Sequence, residues 1–201
     1  MDIESTINFK RKSGFFENRR LEAATFFVFF AFMAFGARAI TFEQVDAQSL
    51  LTSELALRST QPFLNVFTHV LQMQIIDFII IFLSGLTVFG AGISFLWIAV
   101  SGMKIGIISG GLYKYFGLSG FGCFCTTLLP FCALSLVVYS ILNAQSVKLS
   151  VGLFKYSFLG NTKPMGDIRL YFMRAVVLLI ASGIIALIEA AARCFLTGFF
   201  I

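Results

Sequence analysis

The feature that most constrains this chain is a succession of apolar runs, each about 20 residues long, separated by short polar stretches. At 1.5 Å per residue a helix of that length crosses the roughly 30 Å hydrocarbon core of a bilayer. Charged residues make up only 12% of the chain and mean hydropathy is +0.91, whereas soluble domains carry about 25% charged residues. The sequence therefore predicts an all-α, polytopic transmembrane helical bundle of about five spans, at residues 21–40, 75–97, 99–116, 121–142 and 170–193.

The polar stretches divide the chain around this transmembrane domain, residues 21–201. Residues 1–20 form a basic N-terminal segment, 41–74 a polar outer segment, and 144–169 a basic loop before the last span. Apolar residues at helical spacing also predict a short amphipathic helix within the outer segment. The second and third spans are so close that either a tight hairpin or one long broken helix is compatible with the sequence.

Basic residues are concentrated in the N-terminal segment and in the loop before the last span, which an odd number of spans places on the same side of the membrane. Because basic loops stay in the cytoplasm, we expect a multi-pass protein of the cell (inner) membrane with its N-terminus inside and its C-terminus outside. The net charge of +5 is explained by this bias and by contact with membrane lipids. It does not indicate binding of nucleic acid, since no basic surface with stacking aromatics is present.

Three charged residues fall at membrane depth and are candidates for function: Lys104, Glu189 and Arg193. Charges in a membrane usually face protein or a cavity, so one hypothesis pairs Lys104 with Glu189 or makes them a transport relay. The competing interpretation has Lys104 reaching the cytoplasmic surface and Glu189 pairing with Arg193 one helical turn later.

Small residues and a proline mark a second group of candidates, which concern packing. Gly102, Gly106 and Gly110 recur every four residues and predict a bare helix face that allows close contact with another helix. Pro130 falls inside the predicted fourth span, where it removes a backbone donor and is expected to bend or break the helix.

Motifs for catalysis, metal binding and cofactor binding are missing from the sequence. His69 is the only histidine, and no nucleophile elbow, phosphate loop, HExxH or CxxC is present. We therefore predict that the protein is not an enzyme and has no catalytic, metal-binding or cofactor-binding residues.

Several short motifs follow one another in the second half of the chain: Met103-Lys104, Gly106, Gly110, the turn residues Gly117, Ser119 and Gly120, then Leu129-Pro130, and finally Ala186-Leu187-Ile188-Glu189-Ala190. Their order and spacing resemble the stage II sporulation protein M family. The similarity covers roughly residues 76–193 and ends before Cys194. This chain departs from many relatives at Pro130-Phe131-Cys132, where they have a polar or histidine-containing motif, so no functional role is carried over to that position.

The resemblance implies a membrane scaffold of a sporulation complex. Members of that family sit at the sporulation septum and hold two cell-wall hydrolases, stage II sporulation proteins D and P, for septal thinning and forespore engulfment. On this interpretation residues 41–74 are the candidate docking region. The alternative is a transporter or permease subunit for a small molecule or ion, against which the sequence lacks an inverted repeat.

Overall fold

The computed structural model describes the backbone of residues 3–42, 62–159 and 168–200, and the side chains of 19–40, 62–158 and 168–194. Every regular element in these ranges is helical, which confirms the all-α class. The elements are α1 (Ile3–Phe42), α2 (Phe63–Gly85), α3 (Gly90–Cys123), a π-helical turn (Phe124–Leu128), α4 (Leu129–Leu159) and α5 (Ile168–Phe200).

Four helical stretches in the described residues are long and apolar enough to cross a membrane, and the chain is a multi-pass membrane protein. The stretches are Arg19–Ile40, Phe63–Gly85, Gly90–Phe158 and Ile168–Cys194. The third contains 69 residues, which would measure about 100 Å as a straight helix. That length is more than three times the thickness of the hydrocarbon core, so this stretch crosses the membrane more than once.

Gly117 divides this long stretch into two arms. Its backbone angles, φ 60° and ψ −138°, lie outside the helical region, in a conformation that only glycine adopts readily. Leu112 packs against Phe124 and Leu128 across the break, and the Ala91 amide donates to Ser150 Oγ over 3.2 Å near the far ends of the arms. The arms are therefore antiparallel, and the described backbone passes through the bundle five times.

The second span lies earlier in the chain than the sequence predicts, at Phe63–Gly85 rather than 75–97. The reversal occurs at Leu86–Phe89, inside the predicted span, where the Leu86 and Thr87 amides donate to the carbonyls of Leu83 and Ser84 at 3.0 Å each. The prediction failed because the polar residues of 63–74 indicated a loop. In a helix, polar side chains can instead face the interior of the bundle. The second and third spans thus form a hairpin.

The same correction applies to the predicted outer segment and the loop before the last span. Residues 63–74, including His69, belong to α2, and residues 43–61 with the predicted amphipathic helix lie outside the described residues. Residues 144–159 continue α4 instead of forming a loop. They stay helical because their polar side chains, such as those of Ser146 and Ser150, are buried against other helices.

Packing differs between the two ends of the bundle, here called the Thr25 end and the Ile40 end after residues near the two ends of the first span. One core cluster joins all five passes in the middle and toward the Thr25 end, with Phe29, Phe78, Ile98, Leu142 and Ala175 among its members. Toward the Ile40 end the core separates into two. One cluster holds Ile40, Leu112, Phe124 and Leu128 from α1, α3 and the π-helical turn, and the other holds Val66, Val70, Ala186 and Ala190 from α2 and α5.

Candidate functional site

Gln74 lies at the centre of a buried hydrogen-bond network where the two outer clusters diverge. Its Nε2 donates to Glu189 Oε2 over 3.0 Å and lies 3.5 Å from Ser135 Oγ, while its Oε1 accepts a hydrogen bond from Ser182 over 2.9 Å. The Tyr139 hydroxyl donates to the Gln74 carbonyl over 3.4 Å. A buried polar group is costly unless it is hydrogen-bonded, and here the network joins α2, α4 and α5.

Glu189 is paired with Arg193 on its own helix. The guanidinium contacts Glu189 Oε1, one turn away, and both side chains are largely buried. The two oxygens of Glu189 therefore have separate donors, Gln74 and Arg193. This arrangement supports the intrahelical interpretation of Glu189 and does not bring Lys104 to it.

Lys104 lies beside Trp97 and Asp77 instead. Its Nζ lies 5.2 Å from the centre of the Trp97 ring, and Trp97 Nε1 donates to Asp77 Oδ1 over 3.0 Å. Because α3 begins at Gly90, Lys104 is about 20 Å along the helix rather than at its start. The predicted third span began at residue 99, which placed Lys104 near the start of its helix, whereas the helix begins at Gly90.

A cavity of about 170 Å³ lies between the Gln74 network and the Asp77 side chain. Its walls come from α1 to α5, and Asp77, Ser101, Tyr139, Glu189 and Arg193 are among the lining residues. Met73 is the exposed member of the lining, at 50%. Asp77 lies one turn later on the same face of α2, and Trp97 of α3 donates a hydrogen bond to it. The cavity therefore opens at the seam between α2 and α3.

This cavity has room for about five waters at roughly 30 Å³ each, or for one small polar molecule. Its carboxylates and hydroxyls suit a cation or an amine, while the Arg193 guanidinium balances one of the carboxylates. The described residues hold no group of three or more metal-ligating side chains. The arrangement can bind and orient a small molecule.

The predicted glycine face is confirmed as a helix contact between α1 and α3. A Cβ at Gly102, Gly106 or Gly110 would collide with the backbone carbonyl of Phe29, Met33 or Ala37 respectively. Gly36 of α1 is equally close to the backbone of Met103. The three glycines therefore build the fold and line no site.

Pro130 follows directly on the irregular part of the second arm. The π-helical turn Phe124–Leu128 ends two residues before it, and the residue four positions earlier is Thr126, whose carbonyl a proline cannot bond. Thr126 Oγ1 donates to the Gly122 carbonyl over 2.9 Å. The expected break near Pro130 therefore takes the form of a π-helical turn, with Pro130 itself exposed.

A second buried polar layer near the Thr25 end was missed from the sequence. Asn143 Nδ2 donates to Thr25 Oγ1 over 2.8 Å, Ser84 and Ser146 hydroxyls are 3.0 Å apart, and Ser150 Oγ donates to the Val88 carbonyl over 3.1 Å. Ser140, Asn143, Ser146 and Ser150 recur at helical spacing, and this was the available signal. The predicted loop 144–169 includes Ser146 and Ser150, whereas their spacing from Ser140 and Asn143 indicates one buried helix face.

Comparisons with protein-family models, with curated proteins and with solved structures give no match to this chain. A function must therefore be inferred from the geometry of its own residues. Two features of the structure bear on function. One is the bundle that the glycines of α3 and Glu189 build, and the other is the polar cavity beside Gln74.

Proposed function

We propose that the protein is a membrane scaffold resembling stage II sporulation protein M, which recruits peptidoglycan hydrolases for septal thinning and forespore engulfment. The proposal is supported by the structural roles of the residues that carry the resemblance. Gly106 and Gly110 pack α3 on α1, Gly117 reverses the chain, and Glu189 joins α5 to α2. These residues build a bundle, which is what a scaffold requires of them.

On this proposal the protein lies in the cell membrane, at the sporulation septum, with its N-terminus in the cytoplasm. With five passes, residues 10–20 and the described basic residues Lys148, Lys155 and Arg169 fall at the Thr25 end, which positive-inside bias assigns to the cytoplasm. The Ile40 end then faces the cell wall, where the hydrolases act. The scaffold cleaves nothing itself and raises the local concentration of its partners.

The docking region is narrower than the sequence indicated. Residues 62–74 were included in it, but α2 begins at Phe63 and Gln74 belongs to the buried network. The part of the proposed docking region outside the described helices is residues 43–61, which lie between α1 and α2 in the sequence. A deletion of all of 41–74 would remove half of a spanning helix, so loss of function in that variant would say nothing about docking.

The test replaces residues 43–61 with a Gly/Ser linker of equal length and uses tagged protein from sporulating cells. We expect the intact protein to co-purify with the two hydrolases, and the linker variant to insert and fold but lose both. Retention of both hydrolases by the linker variant would show that docking uses another part of the chain. If the intact protein recovers neither hydrolase, the scaffold proposal is wrong.

The cavity favours a second candidate, a transporter or permease subunit for a small cation or amine. Asp77, Glu189 and Arg193 meet at the cavity, and intramembrane charges of this kind often mark a pathway. The matching test measures the flux of small cations and amines into proteoliposomes that contain the parent chain, the Asp77→Asn variant or the Lys104→Met variant. Flux that is lost in Asp77→Asn, with hydrolase recruitment unchanged, would favour transport over scaffolding.

A further inference from the structure

Lys104 is exposed on the outer surface of the bundle at the middle of a spanning helix. About 20 Å of helix separates it from Gly90 and about 18 Å from Phe116. A lysine side chain has only four methylenes, so its ammonium does not reach water at either end. Charges at this depth usually face protein or a water-filled cavity. In its own chain, Lys104 lies over the Trp97 ring and is close enough to Asp77 to interact with it electrostatically.

The surface around Lys104 is otherwise apolar and continuous. Gly92, Leu96, Val100 and Lys104 are exposed and follow one another every four residues along α3. Exposed side chains of α2, including Met73 and Ile76, lie on the other side of the seam. The mouth of the polar cavity opens in the same seam, so an exposed cation and an open polar cavity occupy one lipid-facing surface.

We propose that this α2–α3 seam is the interface between two copies of the chain, related by a two-fold axis along the membrane normal. The seam carries one cation, Lys104, and one anion, Asp77, so it is complementary to itself. A two-fold interface brings residue i of one copy to residue j of the other and the reverse. Lys104 of each copy then meets Asp77 of its partner.

Lys104 and Asp77 also satisfy a condition that the membrane sets on their depth. Both copies insert in the same orientation, so charges that meet across the axis must lie at one depth. The Lys104 ammonium lies over the Trp97 ring, whose indole nitrogen holds Asp77, and the three groups therefore share a depth. Trp97 bonds Asp77 Oδ1, and no hydrogen bond from the described residues reaches Oδ2, which is the oxygen offered to the partner. The second copy also covers the cavity mouth.

The first test is cysteine cross-linking in lipid nanodiscs, in a background where the four native cysteines are alanine. Leu96→Cys is on the proposed interface, and Val177→Cys on α5 is its matched control, because their exposed fractions are 68% and 66%. We expect a cross-linked dimer through position 96 and none through 177. A chain that stays monomeric, or that cross-links equally at both positions, overturns the proposal.

The second test separates the interface from any contact within one chain. Differently tagged Lys104→Asp and Asp77→Lys chains are expressed alone and together. Each variant alone brings like charges together across the axis, while the mixed pair restores both attractive contacts. We expect the mixed dimer to exceed either self-paired dimer by more than about 5-fold, since like charges across an interface are strongly disfavoured.

Equal amounts of mixed and self-paired dimers overturn the proposal, because a role confined to one chain predicts no preference. Circular dichroism and elution volume identify variants that do not fold. Should both single variants fail to fold, Lys104→Met with Leu96→Cys supplies the remaining measurement: cross-linking must fall relative to the Leu96→Cys parent. Position-96 cross-links to a different membrane protein, without self cross-links, also contradict the two-fold interface.

Discussion

Gln74 and Glu189, which are separated by 115 positions in the chain, are joined by a 3.0 Å hydrogen bond at the point where the bundle divides. Above them, toward the Ile40 end, α2 and α5 pack through Val66, Val70, Ala186 and Ala190. The bond sets the register of that packing because a shift of one residue would remove both polar groups from contact. It also closes one side of the cavity.

Removal of the Glu189 carboxylate is expected to be the most damaging single change in this network. Glu189→Ala leaves the Arg193 guanidinium buried without its carboxylate and the Gln74 amide without its acceptor. Breaking a buried ion pair on one side costs about 3–5 kcal/mol. Unfolding in mixed SDS micelles measures the loss. Glu189→Gln keeps an acceptor for Gln74 and should lose less, so equal losses in the two variants would contradict this account.

The α1–α3 contact makes Gly106 intolerant of any side chain. A methyl group at this position collides with the Met33 backbone, which cannot move as a flexible side chain would, so Gly106→Ala forces the helices apart. Overpacking of this kind costs about 1–3 kcal/mol. Gly183→Ala on α5 is the control, since no atom lies within 4 Å of its added Cβ. Thermal unfolding in detergent should separate the two, and a similar midpoint for both would disprove the close contact.

The fold class and the first and last spans could be predicted from the sequence, because long apolar runs have few alternatives to a spanning helix. The third span was predicted to start at residue 99, whereas its helix begins at Gly90. The second span could not be predicted. Its first half contains Asn65, His69 and Gln74, which lower the local hydropathy. In the folded chain Gln74 is satisfied by Glu189 and Ser182 from a distant helix, and no local pattern contains that information.

The candidate site shows the same division between local and long-range information. The Glu189–Arg193 pair and the glycine face follow from spacing within one helix, and both were predicted. The association of Lys104 with Trp97 and Asp77 depends on where α2 turns into α3. The predicted turn lay near residue 98 and the observed one lies at Leu86–Phe89, so the prediction put Lys104 near the start of a helix instead of at its middle. Asn143 was missed because a buried amide and a loop amide look alike until their partner, here Thr25, is known.

Thr25 and Asn143 offer a direct measurement of one long-range bond near the Thr25 end. Thr25 Oγ1 donates to the Leu21 carbonyl over 2.9 Å, so it accepts from Asn143 Nδ2 over 2.8 Å. A double-mutant cycle with Thr25→Val and Asn143→Leu should give a coupling of about 0.6 kcal/mol and at most about 1.7. Additive losses, with no coupling, would show that the two side chains do not interact in the membrane.

Gly117 is expected to limit the stability of the reversal between the two arms of the long helical stretch. Its φ of 60° and ψ of −138° lie in the mirror-image β region, which glycine alone adopts readily, and holding a residue with a Cβ in such a conformation costs about 1–3 kcal/mol. Gly117→Ala should therefore lower the free energy of unfolding by about that amount, although no neighbouring atom obstructs the added methyl group. Gly122→Ala, five residues further along, is the matched control, because it is helical and also has open space around it. Unfolding in mixed micelles compares the two. If both variants unfold together with the parent chain, the reversal does not depend on the backbone of Gly117.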